Sequence, residues 1–190
     1  MMKMPIIAYG DPVLRKVAED ITQEYDQLTL LIENMFETMY AANGVGLAAP
    51  QIGLPIRLFV IDATPFFEDE PKSADFKKVF INATISEEKG EKWIFNEGCL
   101  SIPDVREDVS RYPDIFISYY DENWNFHEES FTGLIARVIQ HEYDHIEGKL
   151  FTDRINPLRK TMLRGKLDAI TKGLIKVDYK MRFPFLKKKR

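Results

Sequence analysis

Leu28, Leu31, Ile32, Met35, Phe36, Met39 and Tyr40 recur at three- and four-residue intervals, the spacing that lays an apolar stripe along one face of a helix. That stripe predicts a core-packing helix with Asn43-Gly44 as its stop. Ahead of it, Gly10-Asp11-Pro12 reads as a turn leading into a short stretch with Val13, Leu14 and Val17. Residues 57–61, 79–85 and 91–95 read as strands, and 115–120 with 124–131 as a hairpin around Asp121-Glu122-Asn123. Residues 62–78 are polar, contain Pro65, Pro71 and the run Glu68-Asp69-Glu70, and read as a surface loop. Residues 97–103 hold a Gly and a Pro and are unsuited to regular helix. A second helical run starts at Gly133 with Leu134, Ile135, Val138 and Ile139, and Gly148 closes it. Asn156-Pro157 caps a final helix, periodic in Leu158, Met162, Leu163 and Leu167 and ended by Gly173; residues 176–190 read as extended.

This order predicts an α+β fold, with mainly antiparallel strands packed around the central 133–148 helix and with an N-terminal and a C-terminal helix. At 190 residues the expectation is one domain, 1–190, large enough to bury a core. No apolar run approaches the roughly 20 residues that span a bilayer, and the first ten residues lack a secretory pattern, so a cytoplasmic protein without membrane contact is expected. One cysteine excludes an internal disulfide. The net charge of −4 argues against broad or specific nucleic-acid binding. The tail Lys187-Lys188-Lys189-Arg190 is locally basic and reads as a solvated terminus.

The candidate chemistry lies in the central helix, at Gln140-His141-Glu142-Tyr143-Asp144-His145. Residues four apart share a helix face, about 6 Å apart along the axis, so His141 and His145 can grip one ion. The plain alternative is a solvated histidine pair. A catalytic metal site needs a third protein ligand and an open position for water. No histidine follows His145, Glu147 is too near to fold back, and Asp153, Asp168 and Asp178 fit no pattern. Upstream, Cys99 is the obvious soft ligand, which gives a Cys99, His141, His145 site. One thiolate and two neutral imidazoles leave a divalent ion net positive, which lowers the pKa of water there toward about 7. Glu142 can take a proton from that water and later deliver it to a leaving group, the requirements of amide hydrolysis. Gln51 and the backbone N–H of Leu100 are candidates for holding the oxyanion; Gln51 could equally satisfy buried backbone. Small residues along 44–51 permit close backbone approach by a ligand or a strand. His127 reads as a surface strand residue.

Three blocks then line up with one family: Gly44-Val45-Gly46-Leu47-Ala48-Ala49-Pro50-Gln51, Glu97-Gly98-Cys99-Leu100-Ser101 and Gln140-His141-Glu142-Tyr143-Asp144-His145 resemble, in order, the signature motifs of peptide deformylase. The resemblance runs from Gly10-Asp11-Pro12-Val13-Leu14-Arg15 through Gly148-Lys149-Leu150-Phe151. It implies removal of the formyl group from N-formyl-methionyl nascent peptides, with release of formate. It implies Fe2+ at Cys99, His141 and His145, with Zn2+ or Ni2+ able to substitute. Gln51 and Leu100 would hold the oxyanion and Glu142 would carry the proton. Val45, Gly46, Phe95, Glu97, Gly98, Arg106, Leu134 and Val138 would line the substrate path, with Phe95, Leu134 and Val138 walling the methionine pocket. Asp144 and Arg111 would form a supporting ion pair. Arg137 stands where that family pattern leads us to expect an apolar residue. The 62–78 segment looks longer than in the shortest members, and the basic tail suggests contact with the ribosome. Two other readings remain at this point: a different H-E-x-x-H metallopeptidase, or an inactive deformylase-like protein that binds formylated peptides.

Overall fold

The computed structural model describes residues 2–66 and 68–185; the basic tail at 187–190 lies outside the described residues. The run Leu58-Phe59-Val60-Ile61 forms strand β3 (Leu58–Asp62), flanked by β2 (Gly46–Ala48) and β4 (Lys77–Lys89). With β7 (Asp114–Tyr120) and β8 (Phe126–Thr132) they make an antiparallel sheet in the order β2-β3-β4-β7-β8. Successive strand side chains point to opposite faces, and here both faces are covered. Phe59, Ile61 and Phe80 pack toward helix α2 (Gly133–Ile146), against Ile135, Ala136 and Ile139. Leu58, Val60, Val79 and Ile81 pack toward helix α1 (Leu28–Ala41), against Ile32, Met35 and Met39. The alternation fixes register, since a one-residue slip would exchange the two cores. Phe59 pairs with Phe80, their rings stacked at 4.7 Å.

The hairpin β5 (Trp93–Cys99) and β6 (Ile102–Arg111) stands beside this sheet. The hydrophobic pattern does not predict β6. Its inward positions are Val105, Glu107, Val109 and Arg111, so charged residues share the buried face with valines and the apolar alternation disappears. A short parallel pair, β1 (Ile6–Ile7) with β9 (Met181–Arg182), joins the two ends of the described chain. The expected last helix is divided into α3 (Pro157–Met162) and α4 (Arg164–Thr171). The break at Leu163 is slight, because hydrogen bonds from Leu163 to Arg159 and from Leu167 to Leu163 cross it. The 62–78 segment is not simply a surface loop: it holds 3-10 turns at Thr64–Phe66 and Pro71–Ser73, and Phe76 is buried in the α2-side core.

The architecture is thus α+β with mainly antiparallel strands, and α2 is buried along most of its length between the sheet and the β5–β6 hairpin. Gly148, at φ +66, ends that helix against the backbone of Arg15, where a Cβ would approach Arg15 O to 2.7 Å. Among the described residues no helix is long and apolar enough to cross a membrane.

Candidate metal centre and cleft

One face of α2 carries His141 and His145, whose rings lie 5.2 Å apart. Cys99, the last residue of β5, brings Sγ to 3.3 Å from His145 Nε2. One ligand atom from each of Cys99, His141 and His145 can be chosen so that all lie within 4.8 Å of one another. A metal with bonds of about 2.3 Å to sulfur and about 2.1 Å to nitrogen at a tetrahedral angle would hold such atoms roughly 3.6 Å apart. The three side chains therefore fit an ion. No fourth His, Cys, Asp or Glu joins them among the described residues, and three protein ligands is the number typical of a catalytic rather than a structural site. Beside them Glu142 is 4% exposed, and its Oε2 has no protein hydrogen-bond partner. Burial pushes this carboxyl up to about 7, which suits a group that must both accept and return a proton. Burial also drives His145 down, toward the neutral imidazole that a metal requires.

A buried ionic chain supports His141. Its Nδ1 lies 3.0 Å from Glu97 Oε2, which leaves Nε2 for a ligand role. Arg111 donates to the same carboxylate at 2.7 and 2.9 Å and to Asp144 at 2.7 Å, and Arg154 donates to Asp144 at 2.6 and 2.5 Å. Arg137 donates to Glu97 at 3.0 Å, and to the carbonyls of Val109 and Trp93 at 3.0 and 2.7 Å. Burial alone would raise the Glu97 pKa. The hydrogen bonds from Arg111 and His141 outweigh it and hold the carboxyl far below the usual carboxylate range. Isolated buried charges are costly, and here each carboxylate meets at least two cationic or polar partners.

A cleft of about 530 Å³ opens over this centre, and Val45, Gly46, Gln51, Phe95, Glu97, Gly98, Cys99, Leu100, Arg106, Val138, His141 and Glu142 all line it. Leu134 does not line it, and His145 lies beneath, 1% exposed. Glu97, expected along the substrate path, commits both carboxylate oxygens to Arg111, Arg137 and His141. Gln51 satisfies buried backbone, one of the two roles considered for it: Oε1 accepts from the Ala48 N–H at 2.8 Å, while Nε2 lies 3.5 Å from Cys99 Sγ and 3.3 Å from Ser101 Oγ. Gly46 admits the Glu142 side chain, since a Cβ there would stand 2.7 Å from Glu142 Cδ. Arg106 lies over Gly98 and is held by Asn96 Oδ1 at 3.0 Å and Asn96 O at 2.5 Å.

Arg137 is 2% exposed, with its guanidinium 4.4 Å from the Trp93 ring. It therefore lines the cleft as a buried, stacked cation in place of the apolar residue expected there. Phe66 and Tyr179 also line the cleft and were not expected. Phe66 comes from the segment read as a loop. Tyr179 comes from the segment read only as extended, where nothing in the local pattern points to the site.

The family model described as polypeptide deformylase matches residues 3–161. The peptide deformylase of Christiangramia forsetii is 60% identical over 196 aligned positions, covering 100% of both chains. That of Pseudothermotoga lettingae is 45% identical, covering 90% of this chain and 93% of its own. Among solved structures, a peptide deformylase from Legionella pneumophila superposes with a TM-score of 0.77 at 39% identity, covering 88% of this chain and 94% of that one. A plant peptide deformylase superposes with a TM-score of 0.81 at 33% identity, covering 92% of each chain.

Proposed function

This chain belongs to the polypeptide deformylase family, and we propose that it hydrolyses the formamide of N-formyl-methionyl nascent peptides and releases formate. The observation that carries the reading is the buried, unpartnered Glu142 carboxylate beside a three-ligand set that opens on a cleft. A purely structural metal site would have four protein ligands and no use for that carboxylate. An H-E-x-x-H endopeptidase would ordinarily draw its third ligand from downstream, whereas Cys99 lies upstream.

In this reading Cys99, His141 and His145 hold Fe2+, with Zn2+ or Ni2+ able to take its place; thiolate and imidazole donors accept all three. When bound, the ion supplies Lewis-acid polarisation of a carbonyl and acidifies water toward a pKa of about 7. Glu142 accepts a proton from the attacking water and returns it to the departing amine nitrogen. Gln51 Nε2 and the Leu100 N–H donate to the oxygen on which negative charge develops, the moment at which such donors contribute most. Strand β2 is an edge strand of the sheet, so the backbone at Gly46 is available to an extended peptide, next to Val45, whose carbonyl is held by the Asp62 N–H at 2.9 Å. Phe95 and Val138 wall the pocket for the methionine side chain, with Gly98 and Arg106 along its rim. Glu97 orients His141. We place the protein in the cytoplasm as one domain over 1–190, with the basic residues 187–190 as a contact for the ribosome; unchanged ribosome co-sedimentation after their deletion would refute that contact.

The test is formate release from formyl-Met-Ala-Ser by protein loaded anaerobically with Fe2+, with Cys99→Ser as control. Rapid release by the wild type and none by the variant is expected. A wild-type protein that binds the ion and releases no formate would overturn the reading.

A further inference from the structure

The turn that carries Cys99 and Leu100 is anchored from outside itself, at two consecutive carbonyls. Tyr179 Oη donates to the Leu100 carbonyl at 2.7 Å. The Tyr9 N–H donates to the Ser101 carbonyl at 2.8 Å. The two anchors belong to one small ribbon: β1 and β9 pair in parallel, with Ile6 opposite Met181, and Ile6 and Ala8 donate to Lys180 and Arg182 at 2.9 Å. On its other side the Leu100 side chain rests against Gly44, where a Cβ would stand 2.7 Å from Leu100 Cδ1. Leu100 is thus gripped through its side chain and its carbonyl, and only its own two backbone torsions separate its N–H from that carbonyl. The family model's match ends at residue 161, so the tyrosine that completes the grip lies outside the segment which that model covers.

We infer that Tyr179 is a positioning residue for the deformylation reaction: its hydroxyl fixes the Leu100 peptide so that the Leu100 N–H is preset toward the oxyanion. This rests on the oxyanion role given above to Leu100. A donor preset in this way does its work in the transition state, so its loss lowers kcat rather than raising KM. Tyr179→Phe keeps the ring that lines the cleft and removes only the hydroxyl. With metal content and thermal midpoint at wild-type values, kcat falls about five- to tenfold, the consequence of one lost hydrogen bond, while KM stays within about twofold. In the same variant the Leu100 amide 15N resonance shifts and its hydrogen exchange quickens. Tyr179→Ala, which also removes the cleft wall, raises KM as well. A Tyr179→Phe enzyme with wild-type kcat, or one altered only in KM, would overturn the inference. So would an unmoved Leu100 amide. The amide measurement needs no turnover. If the wild type releases no formate, the deformylase reading fails by itself and the anchoring of Leu100 is still decided by the resonance.

Discussion

Glu97 Oε2 stands 3.0 Å from His141 Nδ1 while Arg111 and Arg137 hold the same carboxylate. The hydrogen bond orients the imidazole proposed to hold the metal, and the two arginines keep Glu97 ionised while it does so. Replacing such a partner typically weakens metal affinity about 10- to 100-fold. Glu97→Gln preserves shape and a hydrogen bond but removes the charge. A loss of metal affinity in that range is expected, measured by competition against a chelator of known affinity.

Glu142 makes the opposite prediction. Its carboxylate has a free oxygen and holds no other residue in place. Glu142→Ala should keep the metal and the fold and lose about 10²- to 10⁴-fold in kcat, the usual contribution of a positioned acid–base group. Metal analysis alongside formate release checks both halves. Undiminished release would remove Glu142 from the mechanism.

Gly46 gives a steric route to the same group. A Cβ there collides with the Glu142 side chain, and β2 is held on its inner edge by β3. Gly46→Ala should cost about 1–3 kcal/mol in stability, the ordinary penalty for overpacking, and should depress kcat by displacing the carboxylate. Denaturant unfolding together with steady-state kinetics measures both.

Arg137 tests the stability of the ionic chain. Arg137→Leu supplies the apolar residue expected from the resemblance, yet it would strip hydrogen bonds from the carbonyls of Trp93 and Val109 and remove a cation from Glu97. Leaving buried acceptors unpaired costs about 1–3 kcal/mol. A lowered urea midpoint with an unchanged slope is the expected result.

Asp153 governs part of the acid limb of stability. Burial opposes its ionisation, but bonds from Arg15, Lys160 and the Leu150 N–H outweigh this and bring its pKa down to about 2. The unfolded value is about 3.9. Because the folded pKa is the lower, the stabilisation is complete above pH 4 and is lost as pH falls through 2. Both partners are partly exposed, so the gain is about 1 kcal/mol or less. Asp153→Asn should flatten the stability curve between pH 4 and pH 2 by that amount, measured by thermal unfolding in a pH series.

Much of this was legible in the sequence because it rests on local periodicity and spacing. The α1 stripe, the β7–β8 hairpin and the i, i+4 placement of His141 and His145 are consequences of helix and strand repeats. Cys99 followed from counting the donors left over. What escaped was set by tertiary contact. Strand β6 hides its period because Glu107 and Arg111 point inward, where Arg159 and the Glu97–Asp144 pair neutralise them. Arg137 looked out of place because its partners, Trp93 and Glu97, lie on another element. Tyr179 has no local signal at all, since its position depends on β9 returning to β1.

That return also has a kinetic side. A parallel pair between Ile6 and Met181 closes a loop that spans nearly the whole chain, and such long-range closures are entropically demanding and tend to form slowly. The signature segments all precede residue 150 and can assemble before the last strand arrives. During synthesis, the ligand set can therefore be present on a chain whose Leu100 turn is still open. On this view strand β9 acts as a latch, tightening the turn only once Met181 and Arg182 have joined β1.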